Sequence, residues 1–172
     1  MQGKEAVALL NSLVPAGSSL SMGFSTTLVQ IGYIESLKAR TDVDNFKAKA
    51  VVAQASGDMA GYAKFLRQGA SADYFMSGVS AITTDGDIYA VDLSGSRVAG
   101  FYSAGQLIVV TGSNKIVESD AEAEQRIQFQ YKLESARVRV AYGVPHSSIN
   151  NVAVIKGGNP CAFGASAARA TN

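Results

Sequence analysis

Ser18-Ser19-Leu20-Ser21-Met22-Gly23-Phe24-Ser25-Thr26-Thr27-Leu28-Val29-Gln30-Ile31-Gly32 is the stretch on which the fold turns. Ser18 to Met22 has the length and character of a short strand, and Gly23 allows a tight turn after it. Leu28, Ile31, Ile34 and Leu37 then mark one apolar helical face. Ser25, Thr26 and Thr27 stand where hydroxyl side chains cap a helix N-terminus. Strand, glycine turn and helix together form the repeating unit of an α/β fold.

Outward from that unit the alternation continues. Ala6, Val7, Leu9, Leu10, Leu13 and Val14 predict an amphipathic helix over residues 3–13, stopped by Pro15 and Gly17. Residues 41–70 predict two surface helices separated near Ala55-Ser56-Gly57. Tyr74 to Val79 is a buried strand, and Ile82 to Val91 a hairpin turned at Thr84-Asp85-Gly86, with Asp-Gly as a two-residue turn. A short helix over Val98 to Ser103 leads to a strand, Gln106 to Val110, and to the loop Gly112-Ser113-Asn114-Lys115. Ser119 and Glu122 form a capping box for a helix running to about Lys132. A second helix over Glu134 to Tyr142, a break at Pro145 and a strand Val152 to Ile155 ended by Gly157-Gly158 complete the chain. Helices alternating with short buried strands predict a mainly parallel sheet covered on both faces.

Composition limits the function. The 172 residues suit one domain with one core, and 47% hydrophobic against 17% charged residues is a globular balance. Fifteen Lys and Arg against fourteen Asp and Glu leave a net charge of +1, so no global field draws the chain to nucleic acid or an anionic membrane. Apolar stretches such as Leu107 to Val110 fall far short of the roughly 20 residues that span a bilayer. The first 15 residues lack a signal-peptide pattern. Cys161 is the single cysteine, which excludes an internal disulfide and any all-cysteine zinc or iron–sulfur site. A soluble protein of a reducing compartment is expected, cytoplasmic or within an organelle.

Four ordered segments carry a resemblance. They are Ser21 to Gly32; Ala72-Asp73-Tyr74-Phe75-Met76-Ser77-Gly78-Val79-Ser80-Ala81-Ile82-Thr83-Thr84-Asp85-Gly86; Asp92-Leu93-Ser94-Gly95-Ser96-Arg97-Val98; and Gly112-Ser113-Asn114-Lys115-Ile116-Val117. Spread over about residues 6–135, they resemble the lactate-utilisation domain family, abbreviated LUD. The resemblance implies a Rossmann-like three-layer α/β/α sandwich, similar to sugar-phosphate isomerases, amino-sugar deaminases and coenzyme A transferases. It also implies a link to L-lactate oxidation, in which such proteins work beside iron–sulfur partners. This chain departs from many relatives in three places. Ser80 stands where they have Asn, Ser-Met-Gly-Phe-Ser replaces paired glycines in the first loop, and only Cys161 remains of a cysteine-rich tail.

In parallel sheets ligands lie beyond the carboxyl ends of strands, which selects the loops after Met22, Val79 and Val110. Gly23 with Ser25, Thr26 and Thr27 is the first candidate, either as an anion site at a helix start or as a simple cap. Ser80 opens the second loop. Asp92 and Arg97 flank Gly95, placed either to grip a polar ligand from two sides or to brace each other. Asn114 and Lys115 follow the strand at the third loop, where a lysine can neutralise an anion or simply lie in solvent. Asp85 and Asp92 are the candidate bases. His146 has no acid or nucleophile partner by spacing, and Cys161 has no activating neighbour.

No phosphate loop, complete dinucleotide fingerprint, metal-ligand cluster or nucleophile elbow is present, so no cofactor or metal is expected. The expected function is binding of a small anionic metabolite (a carboxylate, sugar phosphate or coenzyme A ester) in lactate or organic-acid metabolism. The alternatives are a non-catalytic assembly subunit docking on an iron–sulfur protein, and a sugar-phosphate isomerase or acyl transferase. A homodimer is expected from the apolar hairpin residues Ile82, Ile88, Tyr89 and Val91.

Overall fold

The computed structural model describes residues 3–143 and 145–157, so Gly158 and Cys161 lie outside the described residues. The chain divides into two compact units, residues 3–78 with Ala99–Val110, and Val79–Val98 with residues 111–157.

The first unit is a parallel α/β layer structure. Its elements are α1 (Gly3–Leu13), β1 (Ser19–Met22), α2 (Thr26–Gln30), α3 (Tyr33–Leu37), β2 (Asp44–Asn45), α4 (Phe46–Ala55), α5 (Met59–Ala70), β3 (Tyr74–Ser77), α6 (Ser96–Ser103) and β6 (Gln106–Val109). The unit boundary falls inside α6. All pairings in sheet A, ordered β2-β1-β3-β6, are parallel. Leu20 pairs with Tyr74, Met22 with Met76, and Met76 with Ile108.

Because strand side chains alternate between faces, these residues share one face. They pack with Leu10 and Val14 after α1, Leu28 of α2, Tyr33 and Leu37 of α3, and Val43. Each fully buried side chain of Leu or Met size contributes about 1.5–3 kcal/mol. The opposite face carries Ser21 against Gly69 of α5, and Phe75 against Gly100 and Phe101 of α6. A Cβ at Gly100 would run into the Phe75 ring, so the glycine is what lets α6 approach this strand. Helices on both faces make this unit the three-layer α/β/α sandwich expected.

One local outcome differs from the sequence pattern and one follows it. The helix expected through Leu37 is divided, because Gly32 adopts a left-handed backbone at φ 83° and separates α2 from α3. The divider between α4 and α5 is Gly57, φ 79°, with Asp58 capping α5 through its carboxylate on the Gly61 N–H at 2.8 Å.

The second unit has β4 (Ala81–Thr83), β5 (Ile88–Asp92), a short 3-10 turn (Ser113–Lys115), β7 (Ile116–Val117), α7 (Asp120–Tyr142) and β8 (Asn151–Ile155). Sheet B, ordered β7-β4-β5-β8, is mixed: β4 runs parallel to β7, while β4–β5 and β5–β8 are antiparallel. The mainly parallel sheet expected from the alternating pattern is therefore sheet A alone. The hairpin whose apolar residues Ile82, Ile88, Tyr89 and Val91 suggested a homodimer is flanked by β7 and β8, and Tyr89 is 5% exposed.

The hairpin connection is three residues long. Gly86 N–H reaches Thr83 O at 2.9 Å, and Thr83 N–H reaches Asp87 O at 2.9 Å. Only Gly86 has positive φ, at 93°, whereas the two-residue turn expected for Asp-Gly needs it at both central positions.

Helix α7 is continuous over 23 residues, not two helices, since neither glycine nor proline interrupts it before Gly143. Ser119 Oγ accepts the Glu122 N–H at 3.3 Å, and Glu122 reaches back to the Glu118 N–H at 2.9 Å. Gly143, φ 67°, ends the helix with its N–H on Arg139 O. Ala123 and Ile127 pack on Ala81 and Tyr89 in a small core edged by Val91, Val117 and Ile149. Among the described residues no helix is long and apolar enough to cross a membrane.

Candidate functional site

The strand registers of sheet B collect four positions at one end. β4 starts after Ser80, β7 starts after Lys115, β5 ends at Asp92, and β8 starts at Asn151, paired with Asp92. Extending the pair Ile82↔Ile116 by one residue sets Lys115 beside Ala81. Ser80 N–H donates to Tyr89 O at 2.7 Å, so Ser80 and Ala81 both face Tyr89 and the ladder is bulged at this end.

The start of α6 is built onto the same end. Asp92 Oδ2 accepts the Arg97 backbone N–H at 2.6 Å, and the Arg97 guanidinium donates through Nη1 to Val91 O at 3.3 Å. Gly95 makes the turn between them with φ 85°. Asn150 and Asn151 hold the loop by donating to Leu93 O at 3.1 and 3.3 Å. Asp92 thus braces the loop through the backbone of Arg97.

From α7 comes a residue the sequence pattern did not single out. Arg126 donates Nε to Ser80 O at 2.9 Å, occupying one of the five donors of its guanidinium. Its signal was a cation set between the buried Ala123 and Ile127 on the face that α7 turns to sheet B. Ser80 takes part through this carbonyl, whereas its Oγ is fully buried with no hydrogen-bond partner.

Lys115 lies in the field of both arginines. Burial pulls its ammonium below the usual lysine value, and the positive charges of Arg126 and then Arg97 pull it the same way. Burial also lowers Arg97, opposed by the negative charges of Asp92 and Glu134. Like charges repel more strongly away from water, so gathering cations works against folding unless something else accounts for it. Asn114 is exposed in the turn beside Lys115, its Oδ1 only 2.8 Å from where a Gly112 Cβ would stand.

Asp85 occupies the other end of sheet B, in the hairpin connection about 13 Å along the strand from Ser80 at 3.3 Å per residue. That end carries a different cluster. Lys156 bridges Asp87 at 2.6 Å and Asp120 at 2.9 Å, and Gly157 N–H donates to Asp87 at 2.6 Å. The Lys156 bond, then that of Gly157, holds the Asp87 carboxyl low; the Lys156 bond, then that of Tyr89, does so for Asp120. The two candidate bases, Asp85 and Asp92, therefore stand at opposite ends of one sheet.

The remaining candidates belong to the first unit. Gly23 N–H donates to Met76 O at 3.0 Å. Ser25 is the N-cap of α2, its Oγ accepting the Leu28 N–H at 3.3 Å, with Thr26 and Thr27 in the first turn. α2 has five residues, so its dipole is a fraction of that of a full helix. His146 Nδ1 lies 2.8 Å from Ser147 O; against a carbonyl it must carry the proton, and the ring holds its own loop. Among the described residues no group of three His, Cys, Asp or Glu is placed to hold a metal.

The LUD domain pattern matches residues 1–151, most of the sequence. The chain belongs to the LUD domain family. Among proteins of curated function none matches this LUD domain. Solved structures similar to it include a D-ribose-5-phosphate isomerase in complex with phospho-erythronic acid, at 12% identity and TM-score 0.41, covering 77% of this chain and 65% of that one. Ribose 5 phosphate isomerase A of Neisseria gonorrhoeae gives 11%, 0.41, 77% and 63%, and the Plasmodium falciparum enzyme 12%, 0.40, 78% and 66%. The LUD domain thus spans less than two thirds of each isomerase chain. At that identity and score the likeness carries nothing of those enzymes' chemistry to this chain.

Proposed function

We propose that this LUD domain binds a small anionic metabolite at the end of sheet B, between Lys115, Arg126 and Arg97. The observation that carries the reading is that the charges of two arginines, Arg126 and Arg97, both act on the half-buried ammonium of Lys115. Beside sheet A, Arg40 is matched by an acid, Asp42. Here the guanidinium of Arg126 is fixed by a carbonyl, which orients it without cancelling its charge. Perturbed charges held together cluster at ligand sites, though structural ion networks perturb them too. Asp92 and Gly95 shape the loop, Asn114 adds an exposed amide beside Lys115, and Ser80 supplies the carbonyl that aims Arg126.

The family name supports a carboxylate metabolite of the lactate type, and the cation set accommodates carboxylates, sugar phosphates and coenzyme A esters alike. A thermal-shift series with members of these three classes tests the reading. A ligand at a hundred times its Kd stabilises the folded chain by about 2.7 kcal/mol. At least one class should raise the melting temperature of the wild-type chain and not that of Lys115→Gln. An equal rise in both proteins, or no rise with any anion, overturns the proposal.

A further inference from the structure

We infer that the outward face of α7 is a docking surface for an amphipathic helix with acidic flanks, supplied by another protein. Helix α7 is apolar on two sides. Ala123 and Ile127 pack against Ala81 and Tyr89 of sheet B, and Ser135 and Val138 are buried further along the same side. At about 100° per residue, Phe129, Leu133, Ala136 and Val140 fall in one line on the opposite side. Phe129 is 60% exposed, Leu133 57% and Val140 89%, with Ala136 exposed between them. Their spacing of four, three and four residues is that of a seam along which one helix packs on another. Single exposed apolar residues are ordinary, whereas an aligned row of them marks an interaction surface. Because the other side of α7 is held in the sheet B core, this row is fixed in place before a partner arrives.

Charge decides what covers it. In a packed helix pair the residues flanking the seam meet those of the partner helix. Here the flanking positions are Gln125, Lys132 and Arg139 on one side and Gln130 and Arg137 on the other, with no acid among them. Lys132 and Arg139 are both exposed. A second copy packed antiparallel sets Lys132 and Arg139 against the same two residues of its mate, and one packed parallel sets Lys132 against Arg137. Like charges facing one another disfavour both arrangements. Residues 158–172 contain Arg169 and neither Asp nor Glu, so the end of the chain brings no complement either. A foreign helix with large apolar residues on its seam and Asp or Glu on its flanks meets both requirements.

Fluorescence anisotropy on the full chain tests this with two labelled synthetic peptides of about three heptads, both with Leu on the seam, one with Glu and its twin with Lys on the flanks. The glutamate peptide should bind at least about tenfold more tightly than the lysine twin. The double variant Lys132→Glu, Arg139→Glu should abolish or invert that preference, and Phe129→Ser should lose the binding while circular dichroism stays unchanged. Leu133→Ser is the second variant, for the case in which Phe129→Ser fails to fold. Equal binding of the two peptides, no binding of either by the folded chain, or binding that survives both serine variants overturns the proposal. It is overturned as well if light scattering shows a dimer that Phe129→Ser dissolves, or if the chain adsorbs to phosphatidylserine vesicles and Phe129→Ser abolishes that, since the row then faces a second copy or a membrane.

Discussion

Sheet A and sheet B use positive charge in opposite ways. Beside sheet A, Arg40 is completely employed in holding the chain together. Its Nε and Nη2 grip Asp42 at 2.7 and 2.9 Å, while Nη1 and Nη2 reach the carbonyls of Asn11 and Val14 at the end of α1. The ion pair with Asp42 keeps that guanidinium above its ordinary value and the carboxyl below its own. At the end of sheet B, Lys115 lies in the field of Arg126 and Arg97 and is pushed the other way. Among the described residues, nine buried apolar residues form the cluster at sheet A and four the cluster at sheet B. One region is built to be stable. The other carries like charges that act on one another.

Substitutions at the two sheets should therefore diverge. Leu20 is fully buried in sheet A, and Leu20→Ala should cost about 2–5 kcal/mol in chemical denaturation through lost transfer energy and the cavity left behind. A loss below about 1 kcal/mol would mean that the sheet A core is loosely packed. Arg40→Met should cost roughly 1–3 kcal/mol, because the carbonyls of Asn11 and Val14 and the Asp42 carboxylate all lose a charged donor. Lys115→Met should have the opposite sign. Without added anion it should leave stability unchanged or raise it by about 0.5–1 kcal/mol by relieving repulsion. Destabilisation by Lys115→Met would erase the contrast between the sheets.

The smallest effect concerns pH at the far end of sheet B. Asp87 and Asp120 have carboxyls held below the ordinary value of 3.8. Their contribution to stability is present above that ordinary value and lost as pH falls through the lower folded-state values. Lys156→Gln removes the main cause of both shifts, so the variant should lose less stability than wild type on acidification below pH 4. Parallel acid curves for the two proteins would show that the bridge contributes nothing to this response.

Much of this was legible in the sequence where local chemistry decides the outcome. The bounds of α1, the strand-turn-helix at Met22 to Thr27, the divider at Gly57 and the Ser119 cap follow from periodicity and capping residues. Sheet B was less legible because β4 and β7 have three and two residues, too short for a period-2 pattern, and because antiparallel pairing of β5 with β8 joins residues some 60 positions apart. The same distance effect hid Arg126. Arg97 and Lys115 directly follow the glycine-bearing turns at Gly95 and Gly112 that advertise themselves, whereas Arg126 lies inside a long polar helix and acquires its place only when α7 packs on β4. Asp85 and Asp92, seven residues apart, look like neighbours along the chain until the hairpin sends them to opposite ends of the sheet.

The central claim is that the end of sheet B marked by Ser80, Lys115 and Asp92 holds an anion. Tungstate, a tetrahedral dianion heavy enough to locate by anomalous scattering, tests it most directly in a crystal of the full chain. The account predicts an anomalous peak within hydrogen-bonding distance of Lys115 Nζ and the Arg126 guanidinium, and its absence in crystals of Lys115→Gln. A peak at the Gly23 to Thr27 turn or beside Lys156 with the Lys115 position empty, or an undiminished peak in the variant, would contradict it.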